Sequence, residues 1–209
     1  MDTGKFITVE GIEGVGKSTN IDRLMHNIEQ HGHKVIKTRE PGGTPTAEMI
    51  RGVVLGHADE PIPDIAELLL MFASRSLLVE NVIRPALTAG TWVVSDRFVD
   101  ASRAYQGGGR GVPMERVNLL ADWVLGDLRP DLTILLDAPV ETGLARAGHR
   151  GDPDRLDVEK VEFYHRVRET YLGLVAAEPE RFVVVDASGD RDQVKVAIDA
   201  VAAVLLGEN

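Results

Sequence analysis

The sequence predicts a single α/β domain in which helices cover both faces of a five-stranded parallel sheet. Its 209 residues are an ordinary length for one domain, and a hydrophobic content of 44% is enough for a buried core. Short apolar runs alternate with longer segments of helical periodicity from end to end. Uninterrupted apolar runs are typical of strands buried on both faces, and strand–helix alternation indicates right-handed crossovers and a parallel sheet.

The elements follow in order along the chain. Strands are predicted at five runs: 6–9, 35–38, 91–95, 132–136 and 182–185. After the first strand, apolar residues fall at helical spacing at Ile21, Leu24, Met25 and Ile28. Further helices are predicted at 47–55, at 65–87 and through Val194, Ile198, Val201 and Leu205. The glycine- and arginine-rich stretches 107–111 and 147–155 are predicted to be mobile loops.

The composition excludes several classes of function. The chain has no cysteine, which rules out a disulfide scaffold, thiolate catalysis and cysteine-ligated zinc. Its 33 acidic and 23 basic residues give a net charge of −10, which argues against a broad surface for nucleic acid or an anionic membrane. Neither a signal peptide nor an apolar run of the ~20 residues that span a bilayer is visible, so a cytoplasmic location is expected.

A nucleotide-binding loop directly follows the first predicted strand. The residues Gly11-Ile12-Glu13-Gly14-Val15-Gly16-Lys17-Ser18-Thr19 match the pattern G-x-x-x-x-G-K-[ST]. Glycines at these positions let backbone N–H groups turn toward a polyphosphate, and the following helix adds the positive end of its dipole. We therefore expect Lys17 to reach the β- and γ-phosphates of a nucleoside triphosphate and the Ser18 hydroxyl to ligate Mg²⁺.

Charged residues follow two other predicted strands. Asp96 ends the third strand, where it either holds Mg²⁺ through water or caps the next helix. Arg97 comes next, and Arg39 stands at the tip of the second strand; arginines in such positions can clamp a second phosphate bidentately. Together with the triphosphate loop, this pair favours an enzyme that binds two phosphorylated molecules.

The motifs taken together resemble those of the thymidylate kinases, a family of P-loop nucleoside monophosphate kinases. Besides the loop at 11–19, the matching segments are 38–43, 73–75, 96–98, 104–111, 130–133, Arg146 with Arg150, and Asp154-Arg155. The Arg-Glu-Pro-Gly-Gly and Ala-Tyr-Gln-Gly elements are specific to this family among such kinases. The resemblance implies a P-loop kinase-like fold over a single domain, 1–209. It also implies a lid segment at about 147–157 and a homodimer.

The resemblance further implies a reaction, the phosphorylation of dTMP to dTDP with ATP and Mg²⁺ in dTTP biosynthesis. Arg39 and Arg97 match the arginines that orient the acceptor phosphate. Glu13 matches an acidic position whose carboxylate meets the sugar of dTMP. Tyr105 matches a tyrosine that lies under the sugar and crowds out a 2′-hydroxyl. These residues are therefore expected around the acceptor nucleotide.

The base is expected to meet a second group of residues. Arg75 matches the arginine that binds the thymine carbonyl, and Ser102 and Gln106 match positions at the base edge. The family's stacking phenylalanine usually lies four residues before that arginine, where this chain has Met71, with Phe72 one place later. Helical spacing places both near Arg75, but for these two residues alone core packing is the better explanation.

A catalytic arginine is expected from the lid. Some relatives carry an arginine in the loop at the position of Gly14, whereas others supply it from the lid, as the bacterial type does. With Gly14, this chain resembles the second type, and Arg146 and Arg150 would project on one helical face toward ATP. The alternative is a solvated surface loop, since acidic residues surround these arginines. The catalytic residues implied are Glu13, Lys17, Arg97, Arg146 and Arg150.

Two other functions fit part of the pattern. One is a kinase for another nucleoside monophosphate, although a donor such as Arg75 opposite thymine O4 would leave the cytosine amino group unpaired, a mismatch that can discriminate by about 10⁴. The other is a nucleotide-dependent switch, which needs the loop but no second phosphate pocket. The paired Arg39 and Arg97 argue against the switch.

Overall fold

The computed structural model describes residues 4–56, 60–148, 155 and 159–207. Its central sheet has five parallel strands in the order β2-β3-β1-β4-β5. The strands are β1 Phe6–Glu10, β2 Val35–Arg39, β3 Trp92–Asp96, β4 Leu132–Asp137 and β5 Phe182–Asp186. Each predicted strand is therefore present, with its bounds shifted by no more than about one residue, and the predicted parallel sheet is confirmed.

Helices connect the strands and cover both faces of the sheet. They are α1 Lys17–Gln30, α2 Pro45–Leu55, α3 Asp64–Leu78, α4 Arg84–Thr88, α5 Val99–Ser102, α6 Met114–Leu125, α7 Val140–Ala147, α8 Val161–Ala177 and α9 Arg191–Leu206. The helix predicted at 65–87 is α3 and α4 joined by a π-helical turn, Val79–Ile83. None of the described helices is both long and apolar enough to cross a membrane.

The core has two halves because neighbouring residues of a strand point to opposite faces. On one face, Ile7 and Val94 pack against apolar residues of α1, α8 and α9. On the other face, Phe6 and Val93 pack against those of α3 and α6. The central strands are thus buried on both sides, as their continuous apolar runs predicted.

The structure corrects the prediction of a mobile loop at 107–111. A π helix, Arg103–Gly109, continues α5 into this stretch and packs against α8. The glycines permit that packing, since a Cβ on Gly108 would lie 2.0 Å from Thr170 Oγ1 and one on Gly109 would lie 2.4 Å from the Phe163 ring. Glycine here allows two helices to approach closely and does not indicate mobility. The second predicted loop, 147–155, lies mostly outside the described residues.

Candidate active site

A cavity of about 310 Å³ opens at the carboxyl ends of β1, β2 and β3. In a parallel sheet this edge is where ligands bind, beside the point at which the strand order reverses. The register brings Arg39 opposite Asp96, and Asp96 opposite Val9, so that three chain segments distant in sequence converge. Predicted site residues line the cavity: Glu13, Lys17, Ser18, Arg39, Asp96, Arg97, Tyr105 and Gln106.

The loop between β1 and α1 has the geometry of a phosphate cradle. Gly14 and Gly16 have φ values of +77° and +86°, in the left-handed region that favours glycine. A Cβ on Gly14 would lie 1.8 Å from the carbonyl oxygen of Gly143, so this position has no room for an arginine or any other side chain. The close contact between Gly14 and α7 therefore explains why this loop carries no arginine of its own.

Lys17 begins α1, and its ammonium group points back into the loop. Its Nζ donates hydrogen bonds to the carbonyl oxygens of Gly11, at 3.2 Å, and Ile12, at 2.9 Å. Burial and the neighbouring Arg97 guanidinium lower the pKa of Lys17 to about 8, despite the carboxylates nearby. A polyphosphate bound at this position would favour the charged form of the lysine.

Arg97 is held in a strained conformation over the loop. Its φ is +69°, which is uncommon for any residue except glycine. The Ser95 hydroxyl donates to the Arg97 carbonyl at 2.6 Å, and the Arg97 amide donates to Val9 at 3.0 Å. The guanidinium donates to Gly11 O at 2.8 Å and to Glu13 Oε1 at 2.7 Å. This conformation places a partly buried guanidinium at the cavity, where a phosphate could replace part of its present contacts.

Glu13 and Tyr105 form one unit with Arg97. The Tyr105 hydroxyl donates to both carboxylate oxygens of Glu13, at 2.9 and 2.8 Å. The Arg97 guanidinium lies 4.7 Å from the centre of the Tyr105 ring. Burial raises the pKa of Tyr105 well above its usual value, which keeps the hydroxyl protonated and donating. The predicted contact of Glu13 and Tyr105 with a sugar stays a prediction.

A buried glutamate below the cavity was not predicted from the sequence. Glu10 accepts hydrogen bonds from the Phe98 amide, at 2.7 Å, and from the Tyr171 hydroxyl, at 2.6 Å. It thereby fixes the residue that follows Arg97. Burial, reinforced by the Asp100 carboxylate, raises the pKa of Glu10 to about 8, although Tyr171 and Arg97 act in the opposite direction.

Arg75 is fully buried behind the cavity and has a specific set of partners. Its Nε donates to Glu40 Oε2 at 2.8 Å, and its Nη2 donates to the Ser102 hydroxyl at 3.0 Å and to the Phe98 carbonyl at 3.1 Å. Among the described residues, Nη1 has no hydrogen-bond partner. A buried donor of this kind is costly unless a ligand accepts its hydrogen bond. Nη1 carries two N–H groups, and the contact of Arg75 with a thymine carbonyl stays a prediction.

The structure also separates Met71 from Phe72. Met71 lines the cavity. Phe72 instead belongs to the core between the sheet, α3 and α6, with its ring 4.5 Å from the Arg75 guanidinium carbon. Phe72 therefore supports the arginine from behind, and Met71 is the residue that can lie against a flat base.

The predicted phosphate residue Arg39 is held by α2. Its guanidinium forms two hydrogen bonds with Glu48, at 3.2 and 2.9 Å, and remains half exposed at the cavity rim. Arg51, which was not predicted, lies about one helix turn after Glu48 on α2 and donates to the Pro41 carbonyl at 2.8 Å. Both line the cavity together with Arg97, so three guanidinium groups face one cavity.

The lid arginines have different positions. Arg146 donates three hydrogen bonds to the carbonyl oxygens that follow β5, those of Ala187, Ser188 and Gly189. Arg155 donates to the Val54 carbonyl at 2.9 Å and to Glu67. Arg150 lies outside the described residues, as does most of the predicted lid at 147–157. A catalytic role for Arg146 and Arg150 stays a prediction.

The donor set suits a hard cation with few protein ligands. Ser18 and Asp96 face the same cavity and offer hydroxyl and carboxylate oxygens, which Mg²⁺ prefers. No group of three His, Asp or Glu side chains that could hold a metal occurs among the described residues. Mg²⁺ sites commonly use one or two carboxylates together with substrate phosphates.

Comparisons with known proteins give one consistent result. A family model described as thymidylate kinase matches residues 9–198. The chain belongs to the thymidylate kinase family. The thymidylate kinase of Pseudomonas fluorescens (strain SBW25) is 51% identical over 204 residues, which cover 98% of this chain and 97% of that protein. That of Methylococcus capsulatus is 54% identical over 198 residues, 95% of this chain and 94% of its own.

The fold agrees with that of a solved thymidylate kinase. The crystal structure of the enzyme from Ehrlichia chaffeensis has a TM-score of 0.75 and 30% sequence identity, covering 95% of this chain and 98% of that one. The family resemblance inferred from the sequence and the predicted P-loop kinase-like fold are confirmed.

Proposed function

We propose that this protein transfers the γ-phosphoryl group of ATP to the 5′-phosphate of dTMP, producing dTDP for dTTP synthesis. The observation that carries this proposal is the single cavity shared by the triphosphate loop and a second phosphate pocket. Lys17 of the loop lines this cavity together with Arg39, Arg51 and Arg97, the three arginines that we assign to the second phosphate. A nucleotide-dependent switch has no use for the second pocket.

The reaction requires positioning and charge stabilisation more than proton transfer. A phosphate acceptor oxygen is already anionic, so no strong general base is needed. Lys17 and the backbone N–H groups of the loop would hold the donor phosphates, and Arg97 would orient the acceptor phosphate. Mg²⁺, held by Ser18 and Asp96, would neutralise phosphate charge when bound. Lid arginines, with Arg150 foremost, would stabilise the transferring group.

The cavity also supplies contacts for thymine and deoxyribose. The partnerless Nη1 of Arg75 would donate to the thymine O4, and Met71 would lie against the ring. Gln106 and Ser102 would lie at the base edge. Tyr105 would lie under the sugar beside Glu13, where it leaves little room for a 2′-hydroxyl. These groups favour dTMP over other nucleoside monophosphates.

A coupled assay of ADP release, with and without dTMP, tests the proposal. We expect release to depend on dTMP, to be weaker with dUMP and to be nearly absent with dCMP, since a missing methyl group weakens binding less than a mismatched hydrogen bond does. ADP release that is independent of any monophosphate would indicate a switch or an ATPase. Preference for another monophosphate would indicate a different kinase.

We also propose that the protein is a homodimer. Exposed apolar side chains lie on α2, α3 and α6, which pack side by side: Met49, Val53, Ile65, Leu69, Leu119 and Trp123. An apolar group of this kind favours an interface. Sedimentation should report a dimer for the native chain and a monomer for Trp123→Glu. The control Val204→Glu, equally exposed on α9, should remain dimeric.

A further inference from the structure

Glu67 lies in the first turn of α3 and is buried, yet it carries a carboxylate. Gln106 Nε2 donates to its Oε1 at 2.8 Å, and Arg110 Nη2 donates to its Oε2 at 3.3 Å. Arg155 also donates to Oε2. Burial alone would raise the pKa of Glu67, but the hydrogen bonds from Arg155 and Gln106 outweigh it and lower the pKa. The group is therefore an anion, and it is fixed from three directions.

The anion dictates which way the Gln106 amide points. A carboxylate can only accept hydrogen bonds, so the amide must turn its NH₂ group toward Glu67 and its carbonyl oxygen away. That oxygen, Oε1, is buried and has no partner among the described residues. Because Gln106 lines the cavity, its position leaves a lone acceptor in the cavity wall. A ligand that offers an N–H there would satisfy it, and one that offers a lone pair would not.

We propose that Glu67 is a positioning residue that sets base specificity by locking the Gln106 amide, an inference that rests on the proposed function. With the amide locked, the cavity accepts a base that has an N–H at that edge, such as thymine at N3. It rejects a base that has an acceptor there, such as cytosine. Arg110 and Arg155 hold the carboxylate in place. Arg110 Nη1 also donates a hydrogen bond to Glu159 Oε1 at 2.5 Å, and Arg155 Nε also donates one to the Val54 carbonyl.

The variant Glu67→Gln tests this proposal. A glutamine at position 67 has both an acceptor and a donor, so the Gln106 amide can take either orientation and present its NH₂ group to the base. The measured quantity is the ratio of the dCMP inhibition constant to the dTMP Michaelis constant. We expect this ratio to fall roughly ten- to a hundredfold, because the unpaired acceptor no longer penalises cytosine. The matched control, Glu159→Gln, removes another carboxylate bound to Arg110 that has no hydrogen bond with Gln106, and it should keep the native ratio.

The outcomes separate the inference from the proposed function. An unchanged ratio in folded Glu67→Gln, or an equal fall in Glu159→Gln, would overturn the role of Glu67. If Glu67→Gln does not fold, Glu67→Asp serves as the second variant, because it keeps the charge opposite both arginines and withdraws the carboxylate from Gln106 by one methylene. The same fall in the ratio is expected for it. An unchanged ratio in Glu67→Asp would likewise overturn the role of Glu67. A native protein without dTMP-dependent ADP release would overturn the proposed function and, with it, this inference.

Discussion

Glu10 is expected to reduce the stability of the folded protein as the pH rises from 6 to 8, and Glu10→Gln is expected to remove that effect. The carboxyl group is fully buried and bonded to the Phe98 amide and the Tyr171 hydroxyl. The like charge of Asp100 acts against its ionisation, while the positive charges of Arg97 and Lys17 act in favour of it. Glutamine has the shape of the protonated acid and no charge at any pH.

The magnitude follows from the difference between the two states. The pKa of Glu10 rises from 4.5 to about 8 on folding. Between these values the folded protein holds one more proton than the unfolded chain, so the free energy of unfolding decreases by about 1.4 kcal/mol for each pH unit. From pH 6 to pH 8 the native chain should lose roughly 2–3 kcal/mol relative to Glu10→Gln. Above the folded-state pKa the difference should level off.

Urea unfolding followed by circular dichroism at several pH values measures this difference. The comparison of native chain and variant removes the contribution of every other titrating group that the two share. A control substitution, Glu29→Gln at an exposed position of α1, should leave the pH dependence of the native chain unchanged. Parallel stability curves for the native chain and Glu10→Gln would show that Glu10 is ionised in the folded state, and the reasoning would then be wrong.

Four further substitutions have expected outcomes. Lys17→Ala should keep the native circular dichroism spectrum but lower turnover by about 10²–10³-fold or more, because the donor phosphates lose their main protein cation; near-normal turnover would contradict this. Tyr105→Ala should narrow the preference, in kcat/KM, for dTMP over ribothymidine monophosphate by about tenfold, and an unchanged ratio would place the sugar elsewhere. Arg150→Ala should lower kcat by about 10³-fold with little change in the KM for dTMP. Arg146→Ala should have a smaller effect on kcat, since its guanidinium is bound to the carbonyls after β5; equal effects would argue against this ranking.

Local patterns were sufficient for the fold and for most of the charged residues that line the cavity. Continuous apolar runs predicted the five strands, because a strand buried on both faces needs no polar alternation. The glycines and lysine of the 11–19 loop predicted the phosphate cradle, because their conformations and charges are local properties of the chain. The carboxyl ends of parallel strands meet at one edge, so Asp96, Arg97 and Arg39 could be placed in the cavity before any contact was known.

The tertiary structure decided the features that depend on partners distant in the sequence. Glu10 and Tyr171 are 161 positions apart, and Glu67 and Gln106 are 39 apart, so no local pattern indicates that they pair. The same holds for the choice of Met71 over Phe72 at the cavity, which depends on how α3 is rotated against the sheet. The sequence alone therefore determined which groups can bind a nucleotide. Only packing determined how the buried carboxylates orient those groups. Burial makes every unpaired polar atom costly, so one arrangement of hydrogen bonds is strongly favoured over the others.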